Sequence, residues 1–335
     1  PVYSPGLLKG VKGIGWFIEE YGIAQLSFNI TDTTQVSMHQ LFELACERAA
    51  LRGIRVTGSE LVGVVPLQIM LDAGKYFLRK QHRSTGISDS EILKIAIKSM
   101  GLDELGDFDP KKKIIEYLIE NNSQKKLIDL TIKDFTHETA SESAAPGGGS
   151  VAACMGALGV ALGTMVANLS AHKKGWDERW EEFSDWAERG KAYHDKLLHL
   201  IDEDTQAFNG ILNAFGLPQR NDSEKAARRE AIQAATRFAI EIPFEVLQTS
   251  YASMQVMMHM AQTGNPNSVP DAGVGALAAR SAVLGAALNV KINSAGLNDK
   301  DYVNEILRKV AEIEQKTIEL EGQILDIVNR KIGIE

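Results

Sequence analysis

Cysteine is almost missing, with two residues, Cys46 and Cys154, in a chain of 335. Both fall inside apolar helical patterns, which argues against a disulfide framework or a Cys-based metal site and suits a reducing compartment. Positive charge is short as well: the formal net charge is −8 and no basic run occurs, so nucleic acid is not an expected partner. A convincing bilayer span is lacking. Val151–Leu169 nears the required length, but glycines, Thr164 and Asn168 dilute it, and Leu, Ile and Phe are scarce there. No secretory leader pattern is visible, and a first residue other than Met fits a piece cut from a longer protein. Hydrophobic content of 44% and charged content of 24% fit a soluble globular chain, expected to be cytoplasmic and long enough for two domains.

Glycine and alanine are concentrated in one stretch, Ser143–Ser170. Pro146 and the glycines Gly147, Gly148 and Gly149 lead into a run of small side chains that reads as the central helix of an all-helical domain. A glycine turn that opens a helix frees N–H groups in front of the positive dipole end, so Gly147–Ser150 either binds an anion or serves packing alone.

Ahead of this stretch, strands alternate with helices. Pro5–Gly15 reads as a loop and Trp16–Tyr21 as a short helix. Ala24–Ile30 alternates as a strand with Leu26, Phe28 and Ile30 on one face. Helices follow over Met38–Arg52, Leu67–Lys80, Glu91–Met100 behind a Ser88/Glu91 capping box, and Pro110–Glu120, with strands at Ile54–Thr57 and Leu61–Val65. The fold class expected for residues 1–122 is α/β (an α+β layer). Residues 123–133, which begin in a break at Asn121–Gln124, form a linker. Residues 134–335, dominated by a 3.6-residue period, form an all-α helical bundle.

Within the bundle, Tyr193, Leu197, Leu200, Ile201, Phe208, Ile211, Leu212 and Phe215 make one apolar stripe, and Asp204 interrupts it. A carboxyl on a buried face is costly to ionise, so its pKa rises, as a proton donor working near neutral pH requires. The same placement also suits a buried Asp that caps or cross-links helices. His172-Lys173-Lys174 either holds an acidic substrate tail or complements the end of the central helix. Trp176, Trp180 and Trp186 read as packing. Leu217-Pro218 ends the Asp204 helix; Ser223–Ile240 and Phe244–Gln262 follow as two helices separated near Pro243. Asp271 reads as the N-cap of a second small-residue helix over Gly273–Ile292. On one face near its end, Asn289 and Asn293 can hydrogen-bond a planar heterocycle or neighbouring helices. A long charged helix, Asp301–Lys331, reads as an outer or dimer-forming element.

Ile14-Gly15-Trp16, the run Ala24–Asp32, Gly58–Pro66 and Ile114–Tyr117 resemble the C-terminal subdomain of glutamate formiminotransferase. The resemblance implies half of a folate cleft and no transferase chemistry in this piece alone, because the catalytic histidine of that family lies on an N-terminal subdomain. Ser143–Val151, Met165–Leu169, Leu200–Phe208, Leu217-Pro218, Gly264–Ser268, Asp271 and Asn289–Asn293 resemble the cyclodeaminase domain of the formiminotransferase-cyclodeaminase family. Together these imply a folate-dependent ammonia-lyase that closes 5-formimidoyltetrahydrofolate to 5,10-methenyltetrahydrofolate in histidine degradation, with Asp204 aligned to the family's proton donor. For that substrate, Gly147, Gly148, Gly149, Ser150 and Lys291 are the candidates to hold the carboxylates, and Asn289 and Asn293 the candidates to hold the pterin. A tetrahydrofolate derivative is then the substrate, with or without a polyglutamate tail, and no metal, nucleic acid or membrane is called for. A homodimer through the helical domain is expected, and the resemblance implies a larger homo-oligomer at full length. Two alternatives stay open: methenyltetrahydrofolate cyclohydrolase, in which water replaces ammonia, and a catalytically silent folate-binding or assembly module.

Overall fold

The computed structural model describes residues 6–119, 126–143 and 145–333. The Asn121–Gln124 break, Pro5, Glu120 and Ala144 of the glycine stretch lie outside them. The chain divides into two units, Pro1–His82 with Ser88–Asn121, and Arg83–Ile87 with Asn122–Glu335.

In the first unit, β1 (Val11–Ile18) and β2 (Ile23–Ile30) form an antiparallel hairpin. Trp16–Ile18 is therefore strand where a helix is expected, and Val11–Gly15 is strand where a loop is expected. The glycines that suggested a loop have a packing reason. Gly13 pairs with Phe28 and Gly15 with Leu26. A Cβ on Gly13 would meet the Phe28 ring at 2.9 Å, and one on Gly15 would meet Leu26 at 3.0 Å. Large side chains of β2 lie across the space that the glycines leave open. Gly22, at φ +62°, makes the turn.

α1 (Met38–Ala50) starts in a capping box between Ser37 and Gln40. α2 (Leu67–Lys80) and α3 (Asp89–Ser99), the latter capped by Ser88, bury Met70, Phe77, Ile92, Leu93 and Ala96 between them. No ladder forms at 54–57 or 61–65. Val65 makes a single parallel bridge to Ile114: its N–H donates to the Lys113 carbonyl, and the Ile115 N–H donates to its own carbonyl. That bridge holds Ile114 extended (φ −95°, ψ 124°) and splits the expected helix into α4 (Pro110–Lys113) and α5 (Ile115–Ile119).

The second unit is all helical: α6 (Ile132–Thr139), α7 (Gly148–Ala171), α8 (Trp180–Phe215), α9 (Asp222–Thr263), α10 (Val269–Ser294) and α11 (Lys300–Ile332). α7 packs against α8, α9 and α10. By length and composition α7 and the 266–294 segment could each cross a bilayer, yet 61% of the α7 window is covered by its neighbours. Small residues let the helices come close. Gly159 on α7 and Gly275 on α10 face each other so tightly that a Cβ on either would lie 2.8 or 2.7 Å from the other's carbonyl oxygen. Segment 83–87 belongs to this unit: the Thr85 N–H donates to Ser184 Oγ at 3.0 Å, and Asn168 Nδ2 donates to the Gly86 carbonyl at 2.9 Å.

Three expectations need correction here. First, α8 buries Ala207 and Ala214 rather than Phe208, Leu212 and Phe215, which are 38%, 52% and 53% exposed. Second, α10 begins at Val269, so Asp271 lies in the first turn and favours the dipole without capping it. Third, α9 runs unbroken through Pro243. Proline has no N–H to give the carbonyl four residues back. That carbonyl, of Ala239, accepts instead from Asn293 Nδ2 at 2.7 Å. Asn293→Ala should therefore cost about 1–3 kcal/mol, the penalty of a buried carbonyl left without a donor. In a Pro243→Ala background the restored N–H should remove most of that cost. Equal losses in both backgrounds, measured by urea unfolding, would rule out the compensation.

Candidate functional site

The site forms where the N-terminus of α7 meets the middle of α8. Gly147 is the N-cap of α7 and makes no side-chain cap, so the first-turn N–H groups need an acceptor from elsewhere. Asp204 provides it. Ser150 Oγ donates to Asp204 Oδ2 at 2.9 Å, and the backbone N–H of Ser150 bonds the same carboxyl. Asp204 is partly buried, between the buried Leu200, Ile201 and Ala207 on its helix. Burial raises its pKa above the ordinary 3.8 of an aspartate, and the Ser150 hydrogen bonds, which pull it down, are outweighed.

Glycine is required under this carboxyl. A Cβ on Gly149 would overlap Asp204 Oδ1, and a Cβ on Gly148 would stand 3.3 Å from Asn289 Nδ2. Gly148, Gly149, Ser150, Asp204 and Asn289 are thus neighbours, drawn from α7, α8 and α10. Asn289 Nδ2 donates to the Gly285 carbonyl of its own helix at 2.9 Å. A depression beside it is lined by Leu288, Asn289, Lys291, Ile292 and Ala295.

The other two residues are engaged elsewhere. Lys291 Nζ donates to both carboxylate oxygens of Glu314 on α11 at 2.8 Å. Asn293 bonds the Ala239 carbonyl, the helix-linking alternative of its sequence reading. His172-Lys173-Lys174 follows the far end of α7, about 36 Å from Gly148 at 1.5 Å rise per residue. Lys173 Nζ lies 4.0 Å above the Trp176 ring, which stacks on Phe183, and Trp186 stacks on His259. Thr205, part of the Leu200–Phe208 run but not singled out there, has its Oγ1 3.5 Å from Ser150 Oγ. Among the described residues no group of three or more His, Cys, Asp or Glu side chains is arranged to hold a metal ion.

Residues 131–312 match the family profile described as formiminotransferase-cyclodeaminase, and residues 2–120 match that of the formiminotransferase domain. The chain is 34% identical over 314 residues to formimidoyltransferase-cyclodeaminase of Rattus norvegicus, covering 93% of this chain and 58% of the relative. It is 35% identical over 327 residues to the protein of that name from Dictyostelium discoideum, covering 95% and 60% respectively. It therefore spans about three-fifths of these relatives' length. Methenyltetrahydrofolate cyclohydrolase of Methylorubrum extorquens is 34% identical over 203 residues, 61% of this chain and 98% of the relative. Formiminotetrahydrofolate cyclodeaminase from Thermotoga maritima shares the fold, with a TM-score of 0.55 at 24% identity over 62% of this chain and 100% of the other. With one profile covering more than half of its residues, the chain belongs to the formiminotransferase-cyclodeaminase family.

Proposed function

We propose that the helical unit closes 5-formimidoyltetrahydrofolate to 5,10-methenyltetrahydrofolate and releases ammonia. N10 of the folate attacks the formimidoyl carbon, forming the N10–C bond of a five-membered ring. The N10 proton passes to the former imino nitrogen, the acid adds a second, and the C–N bond then breaks to give ammonia and the methenyl cation. The nucleophile belongs to the substrate, so the protein needs no Ser or Cys for attack. Its task is to protonate a poor leaving group, which is worth about 10²–10⁴-fold. Asp204 is that acid. The observation that carries this reading is a partly buried carboxyl with a raised pKa, held against the glycine-rich start of α7. Gly148 is exposed and Asn289 partly so, while Gly149 and Ser150 are buried beneath Asp204. Lys291 reaches a substrate carboxylate only by giving up Glu314.

The second reading, methenyltetrahydrofolate cyclohydrolase, has the M. extorquens relative in its favour. The formiminotransferase match on the same chain favours ammonia release. The test incubates the protein with 5-formimidoyltetrahydrofolate and follows methenyl absorbance and ammonia together. Equal appearance of both supports the proposal. Hydrolysis of added 5,10-methenyltetrahydrofolate, with no ammonia from the formimidoyl substrate, favours the cyclohydrolase. Folate binding without turnover leaves a binding module.

The reading includes a cytoplasmic setting and a homodimer through the helical unit. Leu158, Met165 and Leu169 on α7 and Val274, Leu277 and Leu288 on α10 are exposed apolar side chains that a second copy would cover. Sedimentation at the mass of two chains tests that contact.

A further inference from the structure

We infer that Ser150 is a positioning residue, which fixes Oδ2 of Asp204 as the acceptor oxygen and leaves Oδ1 to carry the transferable proton. This rests on Asp204 as the acid, and it gives Ser150 a role other than binding a substrate carboxylate.

Ser150 is fully buried, at 0% exposure, and its Oγ lies 2.9 Å from Oδ2. A protonated carboxyl has one oxygen that accepts and one that donates. Thr205 Oγ1, 3.5 Å from Ser150 Oγ, can donate to the serine oxygen and leave the serine O–H for Oδ2; the oxygen that receives that O–H is the acceptor, so the proton belongs on the other. That other oxygen, Oδ1, lies directly over Gly149, where any side chain would displace it. Serine and glycine in adjacent positions thus do two jobs. One holds Oδ2, and the other leaves room for Oδ1.

Charged neighbours do not compete for this control. α7 carries no Asp, Glu, Lys or Arg over Gly148–Ala171. On α8, Asp202 accepts the Leu127 N–H and Glu203 pairs with His199. On α9, Glu241 pairs with Arg237 and Glu245 with Lys196 of α8. On α10, Lys291 is held by Glu314 and Arg280 by Glu321, both on α11; Asp271 lies in the first turn of that helix. Burial and the two Ser150 bonds are the influences on the Asp204 carboxyl.

The test is Ser150→Ala, with Ser150→Thr as the variant that keeps a hydroxyl. Ammonia release needs protonated Asp204, so activity is lost as pH rises through its pKa. Removing the serine hydroxyl removes a donor that favours the carboxylate. In Ser150→Ala the alkaline limb of kcat should therefore move to higher pH by about one unit, the size of one charge-assisted hydrogen bond. At neutral pH kcat should fall about tenfold with KM unchanged, as expected when an interaction made in the transition state is lost. Ser150→Thr should return both toward wild type. A limb that does not move, or a raised KM with kcat intact, overturns the inference and returns Ser150 to substrate binding. A 13C titration of the Asp204 carboxyl in Ser150→Ala reads the same coupling without turnover, and an unshifted midpoint overturns it too. If Asp204→Asn keeps the wild-type rate, the acid assignment itself has failed. An inactive Asp204→Asn with an unmoved Ser150→Ala limb means that only the Ser150 inference has failed.

Discussion

Asp204→Asn should slow ammonia release by about 10²–10⁴-fold, the range of one general acid. Asparagine keeps the shape of the side chain and an oxygen that can accept from Ser150 Oγ, but it has no proton to transfer. The stability consequence runs the other way. A carboxyl whose folded pKa lies above its unfolded value contributes fully to stability below that unfolded value. The contribution is lost as pH rises through the folded pKa. Burial raises Asp204 in this sense, so at neutral pH the native state bears the cost of a poorly solvated carboxyl that asparagine does not share. The variant should melt no lower than wild type. A structural cross-link would give the opposite pair of results, lost stability and retained turnover. Thermal melting and the ammonia assay on one preparation therefore separate the two.

Gly275→Ala should destabilise the helical unit by about 2 kcal/mol, although alanine is the better helix former. Intrinsic propensity favours alanine over glycine by about 1 kcal/mol inside a helix. At Gly275 the new Cβ would lie 2.7 Å from the Gly159 carbonyl oxygen and 3.0 Å from Met257 Cγ. A backbone carbonyl in the middle of α7 cannot turn aside as a side-chain tip would. Separating the two helices also disturbs the contacts around Ala279 and Ala282, so overpacking of about 3 kcal/mol outweighs the propensity gain. Gly322→Ala on α11 is the control, because nothing lies within 4 Å of its Cβ position. That variant should gain up to about 1 kcal/mol. Urea unfolding of both variants measures the pair, and a Gly275→Ala protein as stable as wild type would mean that α7 and α10 are not held at this distance.

The catalytic candidate was legible because a single charged side chain interrupted an apolar stripe, and Asp204 does sit beside buried Leu200 and Ile201. In the far half of the stripe the apolar period points Phe208 and Phe215 inward, but close helix packing gives the inner positions to Ala207 and Ala214 and leaves both rings outside. Glycine misled in the same way at Gly13 and Gly15, where its small size serves cross-strand packing rather than a loop. What the sequence held but did not display was pairing at long range. Ser150 and Asp204 are 54 positions apart, and Asn293 and Ala239 are also 54 apart. No local period links either pair. Pro243 therefore looked like a helix boundary, because its compensating donor lies on another helix.

The most direct measurement is the protonation midpoint of the Asp204 carboxyl, followed by 13C NMR in the folded protein and assigned by its loss in Asp204→Asn. The predicted midpoint lies above the ordinary aspartate value of 3.8 and coincides with the pH at which ammonia release declines. A carboxyl that titrates at or below 3.8, in a protein that still releases ammonia at neutral pH, would contradict Asp204 as the proton donor.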